Sequence, residues 1–393
     1  MGRALRVALV TEFYYPHLGG VTEHVYYFSR ELEREGHAPL VITSHMTPQT
    51  EDAPFVRRVG RSVTLPSNGS LARVTMGVGL GRRIAEILRA ERIDVVHVHG
   101  GLAPTLGLVA PRAARRVGLP VVATFHSWFR RSVGYRFYRA PFQRSLDQLA
   151  AKIAVSEPVV EALSRYFRAT WDVIPNGIDL DDFSPAGRLP AHTHIDEPRL
   201  LFLGRLDPRN GLDVVLAAMP RIIEAYPRAR LTVAGDGPLR PWYESLARPL
   251  GKNVEFIGSI YRERARRYAD SDLYLCPTNK ASFGITLLEA MACGTPMIVS
   301  EITGFRELID GGAEAMLVPC ADPRRWAEAT IELLGDPARR GVMSRAGLDK
   351  AARFGWPTVA QQVLGVYRRV LGIEEPAAPP RVEPVPSMVG AGR

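Results

Sequence analysis

The chain has no run approaching 18 consecutive apolar residues, which argues against a membrane-spanning helix. Its first residues, Met1-Gly2-Arg3-Ala4-Leu5-Arg6, lead into a short apolar stretch without a small-residue cleavage site, so no secretory leader is expected. Cysteine is scarce. Cys276, Cys293 and Cys320 stand apart, without the paired C-x-x-C spacing of zinc or dithiol sites. Such a set fits buried thiols in a reducing compartment, and the cytoplasm is the expected location. No Asp-x-Asp stands at a strand end to hold a divalent ion, so no metal requirement is expected, and no enzymic nucleophile is evident.

What is present describes an ordinary globular protein, 46% apolar and 23% charged. At 393 residues the chain exceeds one ordinary hydrophobic core and suits two domains. The net charge of +9 favours anionic partners: nucleic acid, acidic lipid or a phosphorylated substrate. No recognition motif accompanies that charge, so nucleic acid is not the expected partner.

Short β-branched runs recur, each followed by a helical pattern. They are Leu5–Val10, Pro39–Thr43, Asp94–Val98, Val121–Phe125 and Lys152–Val155 in the first half. Leu200–Leu203, Leu231–Ala234, Val254–Ile257, Leu273–Cys276, Met297–Val299 and Met316–Val318 repeat the scheme in the second. Strands apolar throughout must be covered on both faces, which predicts two doubly wound parallel sheets of the α/β class. The turn-rich stretch near 184–198 is the expected boundary. A last helical pattern, Thr358–Leu371, lies outside the second sheet's alternation and is expected to cross back onto the first domain. The Pro-rich tail 373–393 is expected to be disordered.

Three loops stand at the carboxyl ends of predicted strands, where α/β sheets bind ligands. Gly19-Gly20-Val21-Thr22-Glu23-His24 opens a helix, and paired glycines there admit close backbone approach to a phosphate. A tight turn is the alternative. Leu203-Gly204-Arg205-Leu206-Asp207 carries an Arg whose planar fork suits a diphosphate; a surface Arg paired with Asp207 fits that pair equally well. The most specific stretch is Ala281-Ser282-Phe283-Gly284-Ile285-Thr286-Leu287-Leu288-Glu289, a loop preceding a helix that starts near Ile285. Glu289, one turn in and facing the ligand side, suits the two hydroxyls of a ribose while the helix N-terminus faces phosphate.

These segments resemble the family 4 retaining glycosyltransferases, over roughly residues 5 to 371. The likeness is greatest to the phosphatidyl-myo-inositol mannosyltransferases. It rests on Gly19-Gly20-Val21 with His24, on Pro66-Ser67-Asn68-Gly69-Ser70-Leu71-Ala72-Arg73, and on Ala123-Thr124-Phe125-His126-Ser127. The resemblance implies a GT-B architecture of two Rossmann-like domains facing a cleft. Residues 1–190 form the acceptor-binding domain, with helix 357–372 packing back onto it, and 191–356 bind the nucleotide sugar. It implies further that Gly19 and Gly20 line the donor phosphates, that His126 contacts the donor sugar at the reacting centre and that Arg205 stabilises the leaving diphosphate. Glu289 holds the ribose, and the backbone from Ser282 and Phe283 through Gly284, Ile285, Thr286 and Leu287 meets sugar and phosphate. Asn68, Ser70 and Arg73 face the inositol phosphate, with Arg130 also on the acceptor side. The nucleotide sugar is a co-substrate, and no other cofactor is implied.

Two positions depart from the family pattern. Its first glutamate, separated from Glu289's position by seven residues, is Ala281 here, and the basic residue expected five positions after Arg205 is Asn210. Each lost charge-assisted bond weakens binding by about 1.5–3 kcal/mol, roughly ten- to a hundredfold. Arg209 and Lys280 are the neighbouring candidates to compensate.

From Phe125 to Arg144 the chain carries Arg130, Arg131, Arg136, Arg139 and Arg144, no acidic residue, and six aromatic residues beyond Phe125. Interleaved basic and aromatic side chains suit a headgroup boundary and predict peripheral association with the anionic inner face of a membrane. A partly buried helix with a solvated basic edge is the alternative. The expected activity is retaining transfer of a hexose, mannose from GDP-mannose, to a lipid such as phosphatidyl-myo-inositol. Two other readings stand beside it: a catalytically weakened homologue serving as a sugar-nucleotide- or lipid-binding partner, and a UDP-sugar-dependent transferase with another acceptor. An epimerase or phosphorylase on the same architecture lacks the acceptor-side likeness.

Overall fold

A computed structural model describes residues 3–16, 19–46, 52–67, 70–100, 102, 105–185, 196–309, 311–373 and 381–382. The chain divides into two compact units. Met1–Gly177 joins Trp356–Arg393 in the first, and Ile178–Gly355 forms the second. Much of the polar stretch expected at the boundary lies outside the described residues.

In the first unit the strands are β1 (Arg6–Thr11), β2 (Ala38–His45), β3 (Val56–Ser67), β4 (Ser70–Met76), β5 (Val95–His99), β6 (Val121–Phe125), β7 (Ala151–Ala154) and β8 (Trp171–Val173). In the second they are β9 (Arg199–Leu203), β10 (Arg230–Ala234), β11 (Val254–Gly258), β12 (Leu273–Cys276), β13 (Met297–Ser300) and β14 (Met316–Val318), and Arg381–Val382 adds β15 to the first. Among the described residues the first sheet runs β15-β8-β7-β6-β5-β1-β2-β3-β4 and the second β11-β10-β9-β12-β13-β14. All pairings are parallel except β3 with β4 and β8 with β15.

The central apolar strands β5 and β6 are buried from end to end, whereas the edge strand β11 is only partly covered. Helices on both faces supply that cover. Phe28 and Leu32, from helix Gly20–Arg34, join Val7, Leu9, Val95 and Val122 in the first core. Trp356, Val359, Val363, Leu364 and Tyr367 complete it, so the last helix, Trp356–Leu371, belongs to the first unit's core. Leu200, Phe202, Leu216, Met219, Leu231, Leu275, Trp326 and Leu333 lie in the second core.

The hairpin β3–β4 was not legible as strands, because it lacks the continuous apolar run of a doubly covered parallel strand. An antiparallel edge hairpin needs only one apolar face, and Arg57, Arg58 and Arg61 interrupt its pattern. It contains most of the segment 66–73 assigned to the acceptor. Within the tail expected to be disordered, Arg381 and Val382 pair antiparallel with Asp172 and Trp171, using the open edge of β8. Among the described residues no helix is long and apolar enough to cross a membrane.

Candidate active site

In the second unit, β9 and β12 are hydrogen-bonded neighbours, so the loops leaving their carboxyl ends lie side by side. Asn279 N–H donates to the Arg209 carbonyl at 2.9 Å, and Thr278 Oγ1 donates to Asn210 Oδ1 at 3.3 Å. Arg205 is exposed at the end of β9, and Asp207 pairs with Arg209 at 3.7 Å, not with Arg205. The loop after β10 closes over the same edge. Gly235 has φ +144°, and a Cβ there would lie 1.9 Å from the Gly204 carbonyl oxygen, so the two glycine turns stack backbone on backbone.

Beyond β12, Ser282 and Phe283 lead to Gly284, which takes φ +99° and caps helix Ile285–Ala292. Ile285, Thr286 and Leu287 form its first turn, with Phe283 and Leu287 buried and the others partly exposed. Leu287 N–H donates to the Gly284 carbonyl at 2.9 Å, so the N–H groups of Ile285 and Thr286 lead the helix, and with Arg205 they belong to one sheet edge, an arrangement that suits a doubly charged anion. Glu289 differs from the open carboxylate expected. It is 1% exposed, accepting from Arg264 Nη1 at 2.7 Å and from the Tyr268 hydroxyl at 3.1 Å. A buried carboxylate needs such partners to remain ionised. The Arg264 guanidinium lies 5.4 Å from the ring centres of both Phe183 and Tyr261. Asn210 is also committed: its amide donates to the Arg205 carbonyl at 2.8 Å, so it braces the Arg205 loop.

In the first unit, Gly19 precedes and Gly20 opens helix Gly20–Arg34, both exposed. One turn on, His24 faces His126, which follows β6, with ring centres 4.8 Å apart. His99 ends β5, the neighbour of β6, and its Nδ1 lies 3.2 Å from His126 Nε2. His24 Nδ1 bonds Asn176 Oδ1 at 2.9 Å. Burial lowers the pKa of His24 to about 4 and those of His97, His99 and His126 well below the usual histidine range, so all four are neutral imidazoles at neutral pH. His126 therefore offers a neutral ring to a ligand. His97 is a structural link, bonded to Tyr367 at 2.5 Å and to Thr124 at 2.7 Å.

Asn68 lies outside the described residues. Ser70 and Arg73 fall in β4. Arg130 is exposed, and its carbonyl accepts from Arg165 Nη1 at 2.9 Å. The basic-aromatic segment splits into two helices, Val133–Phe137 and Arg139–Asp147. Phe129, Tyr135 and Phe142 turn inward against one another and against Tyr166 and Phe167. Val133, Phe137, Tyr138 and all five arginines remain exposed. Sequence reasoning missed Arg264, His99 and Asn176. The alternating His97-Val98-His99 at a strand's carboxyl end was the available signal for His99; Arg264 had none, because its partner is 25 residues away.

Residues 18–182 match the family described as Glycosyltransferase Family 4, and residues 197–336 that described as Glycosyl transferases group 1. The chain is 30% identical over 369 residues to a phosphatidyl-myo-inositol mannosyltransferase of Mycobacterium leprae (strain TN), covering 93% of this chain and 97% of that one. It is also 30% identical over 397 residues to a D-inositol 3-phosphate glycosyltransferase of Thermobispora bispora, covering 90% of each. Among solved structures, sucrose-phosphate synthase from Thermosynechococcus elongatus matches with a TM-score of 0.74 at 24% identity, over 94% of this chain and 100% of that chain. Matched in both halves by glycosyltransferase families and across nearly its whole length by relatives and a known fold, the chain belongs to the family 4 glycosyltransferases and has the GT-B fold.

Proposed function

We propose that the protein transfers a hexose, mannose from GDP-mannose, with retention to a lipid acceptor of the phosphatidyl-myo-inositol class. The observation that carries the donor half is the adjacency of exposed Arg205 to the Gly284-capped helix Ile285–Ala292 on one sheet edge. Arg205 and the helix N-terminus supply fixed positive charge where a diphosphate leaves, so no bound metal is required for that step. His126 meets the sugar as a neutral hydrogen-bonding ring. With no enzymic nucleophile, rate enhancement rests on stabilising the leaving group and positioning the acceptor hydroxyl.

On the acceptor side the reading assigns Asn68, Ser70 and Arg73 to the inositol phosphate. A cavity of about 870 Å³, walled by Met76, Val78, Leu80 and Val109 and edged by Arg82 and Arg116, opens beside β4 and supports a lipid-sized ligand. The exposed Arg130, Arg131, Arg136, Arg139 and Arg144 with Phe137 and Tyr138 support docking on an anionic membrane face.

A second reading, a weakened homologue that binds but transfers slowly, draws on Ala281 and on the commitment of the Asn210 amide to the Arg205 carbonyl. Calorimetry with GDP, UDP, GDP-mannose and UDP-sugars, on wild type and on the Ala281→Glu, Asn210→Lys double mutant, separates the two. Base-selective wild-type binding with mannosyl transfer to phosphatidylinositol vesicles is the expected result, unchanged by chelator and lowered about a hundredfold in Arg205→Ala. Donor binding that emerges only in the double mutant replaces this reading with the second. Loss of turnover to chelator with recovery in manganese defeats the proposed role of Arg205.

A further inference from the structure

Three imidazoles from three separate segments converge in the first unit. His24 comes from the helix Gly20–Arg34, His99 from the end of β5 and His126 from the loop after β6. Their ring centres are 4.8, 5.2 and 5.5 Å apart, so each ring faces the other two. Each residue offers one ring nitrogen such that all three nitrogens lie within 4.8 Å of one another. His24 and His99 are 3% and 2% exposed.

The hydrogen bonding of this cluster is incomplete. An amide oxygen only accepts, so His24 donates its Nδ1 proton to Asn176 Oδ1, and its Nε2 is a bare lone pair. That Nε2 is buried without a hydrogen-bond partner, as is Nε2 of His99. Neighbouring His97, by contrast, is satisfied at both nitrogens. The unmatched lone pair of His24, facing the other two rings, calls for a cause. His126 Nε2 faces His99 Nδ1 at 3.2 Å. Two nitrogens bound to one tetrahedral zinc stand about 3.3 Å apart, given zinc–nitrogen bonds of about 2.0–2.1 Å. His99 Nδ1 and His126 Nε2 already have that spacing, and a metal there displaces the shared proton of their hydrogen bond. The third nitrogen lies within 4.8 Å of the pair and has up to about 1.5 Å to close, by side-chain rotation.

We propose that His24, His99 and His126 form a site for a borderline divalent transition metal, zinc foremost, with Asn176 as the outer group that fixes the His24 ring. Imidazole nitrogen is the preferred donor for zinc, and a metal-bound histidine donates its other N–H to an oxygen acceptor, as His24 does to Asn176. Three protein ligands leave a fourth position open. The site is distinct in chemistry from any magnesium or manganese site, since it offers no carboxylate. Under the function proposed above, occupancy draws His126 away from the donor sugar, so zinc inhibits transfer; binding itself does not depend on that reading.

The test uses the untagged full chain, stripped with chelator and titrated with cobalt and then zinc in the absence of donor. The expected result is one equivalent of cobalt giving the strong visible absorption of a four-coordinate centre, displaced by zinc. X-ray absorption of the zinc-loaded wild type should show imidazole ligands at about 2.0 Å. His99→Gln should weaken zinc binding by at least about tenfold and Asn176→Ala by about tenfold, with His37→Gln unchanged. Substoichiometric binding by wild type, an absorption spectrum without imidazole, or His99→Gln binding zinc like wild type overturns the site. Should His99→Gln not fold, the wild-type absorption spectrum decides alone. Zinc bound with transfer undiminished upholds the site and refutes the placement of His126 at the donor sugar. Transfer intact with no zinc bound refutes the site and leaves the function standing.

Discussion

At the scale of single residues, the contacts of Glu289 alter what the sequence implies. A carboxylate one turn into a helix reads as an open ligand for hydroxyls. Here it is sealed beneath Arg264 and Tyr268, and burial with the adjacent carboxylate holds the Tyr268 hydroxyl protonated, well above the usual tyrosine range. Removing the cation strands a charge that is 1% exposed, and breaking such a pair costs about 3–5 kcal/mol. Arg264→Ala should therefore lower unfolding stability in urea by about 3 kcal/mol. Arg264→Ala, Glu289→Gln should recover part of it, because the uncompensated charge is then gone. Equal loss in the single and double mutants would show that the pair carries no coupling. Residue identity alone gave no access to this, since Arg264 sits in a polar helix, Arg264–Ala269, among other arginines.

At the scale of elements, periodicity identified every strand of the second sheet and most of the first. Strands buried on both faces must be apolar throughout, and that requirement is written directly in composition. The hairpin β3–β4 escaped because an edge pair has no such requirement. Loop geometry was legible only as glycine positions. The turn after β10 illustrates the difference: Gly235 combines φ +144° with contact against the Gly204 carbonyl. Gly235→Ala should destabilise the second unit by about 3 kcal/mol, seen as a lower urea midpoint with unchanged slope, and should weaken donor binding by displacing the Arg205 loop. An alanine variant with wild-type stability would mean that the two turns separate readily.

At the scale of the molecule, two cores of different construction share one chain. The second unit is a continuous segment, Ile178–Gly355, whose core draws on no residue outside it. Expressed alone, residues 178–355 should fold with a single cooperative urea transition, whereas a chain ending at Gly355 should lose the first unit's cooperativity, having lost Trp356, Val363, Leu364 and Tyr367 from its core. A segment 178–355 that remains unfolded would refute the independence of that core. The sequence by itself determined the α/β class, the two-sheet organisation and the return of the last helix, because backbone hydrogen bonding and burial impose periods that composition must follow. It also marked Arg205 at a strand end and Gly284 ahead of a helix from local pattern, and His126 through the family resemblance. Only the tertiary structure decided that Glu289 is sealed by Arg264, that Asn210 braces the Arg205 loop and that His24, His99 and His126 meet. The first and last of these join residues distant along the chain, so their geometry depends on which elements become neighbours; the Asn210 amide reaches back only five residues, but its direction depends on how the loop turns.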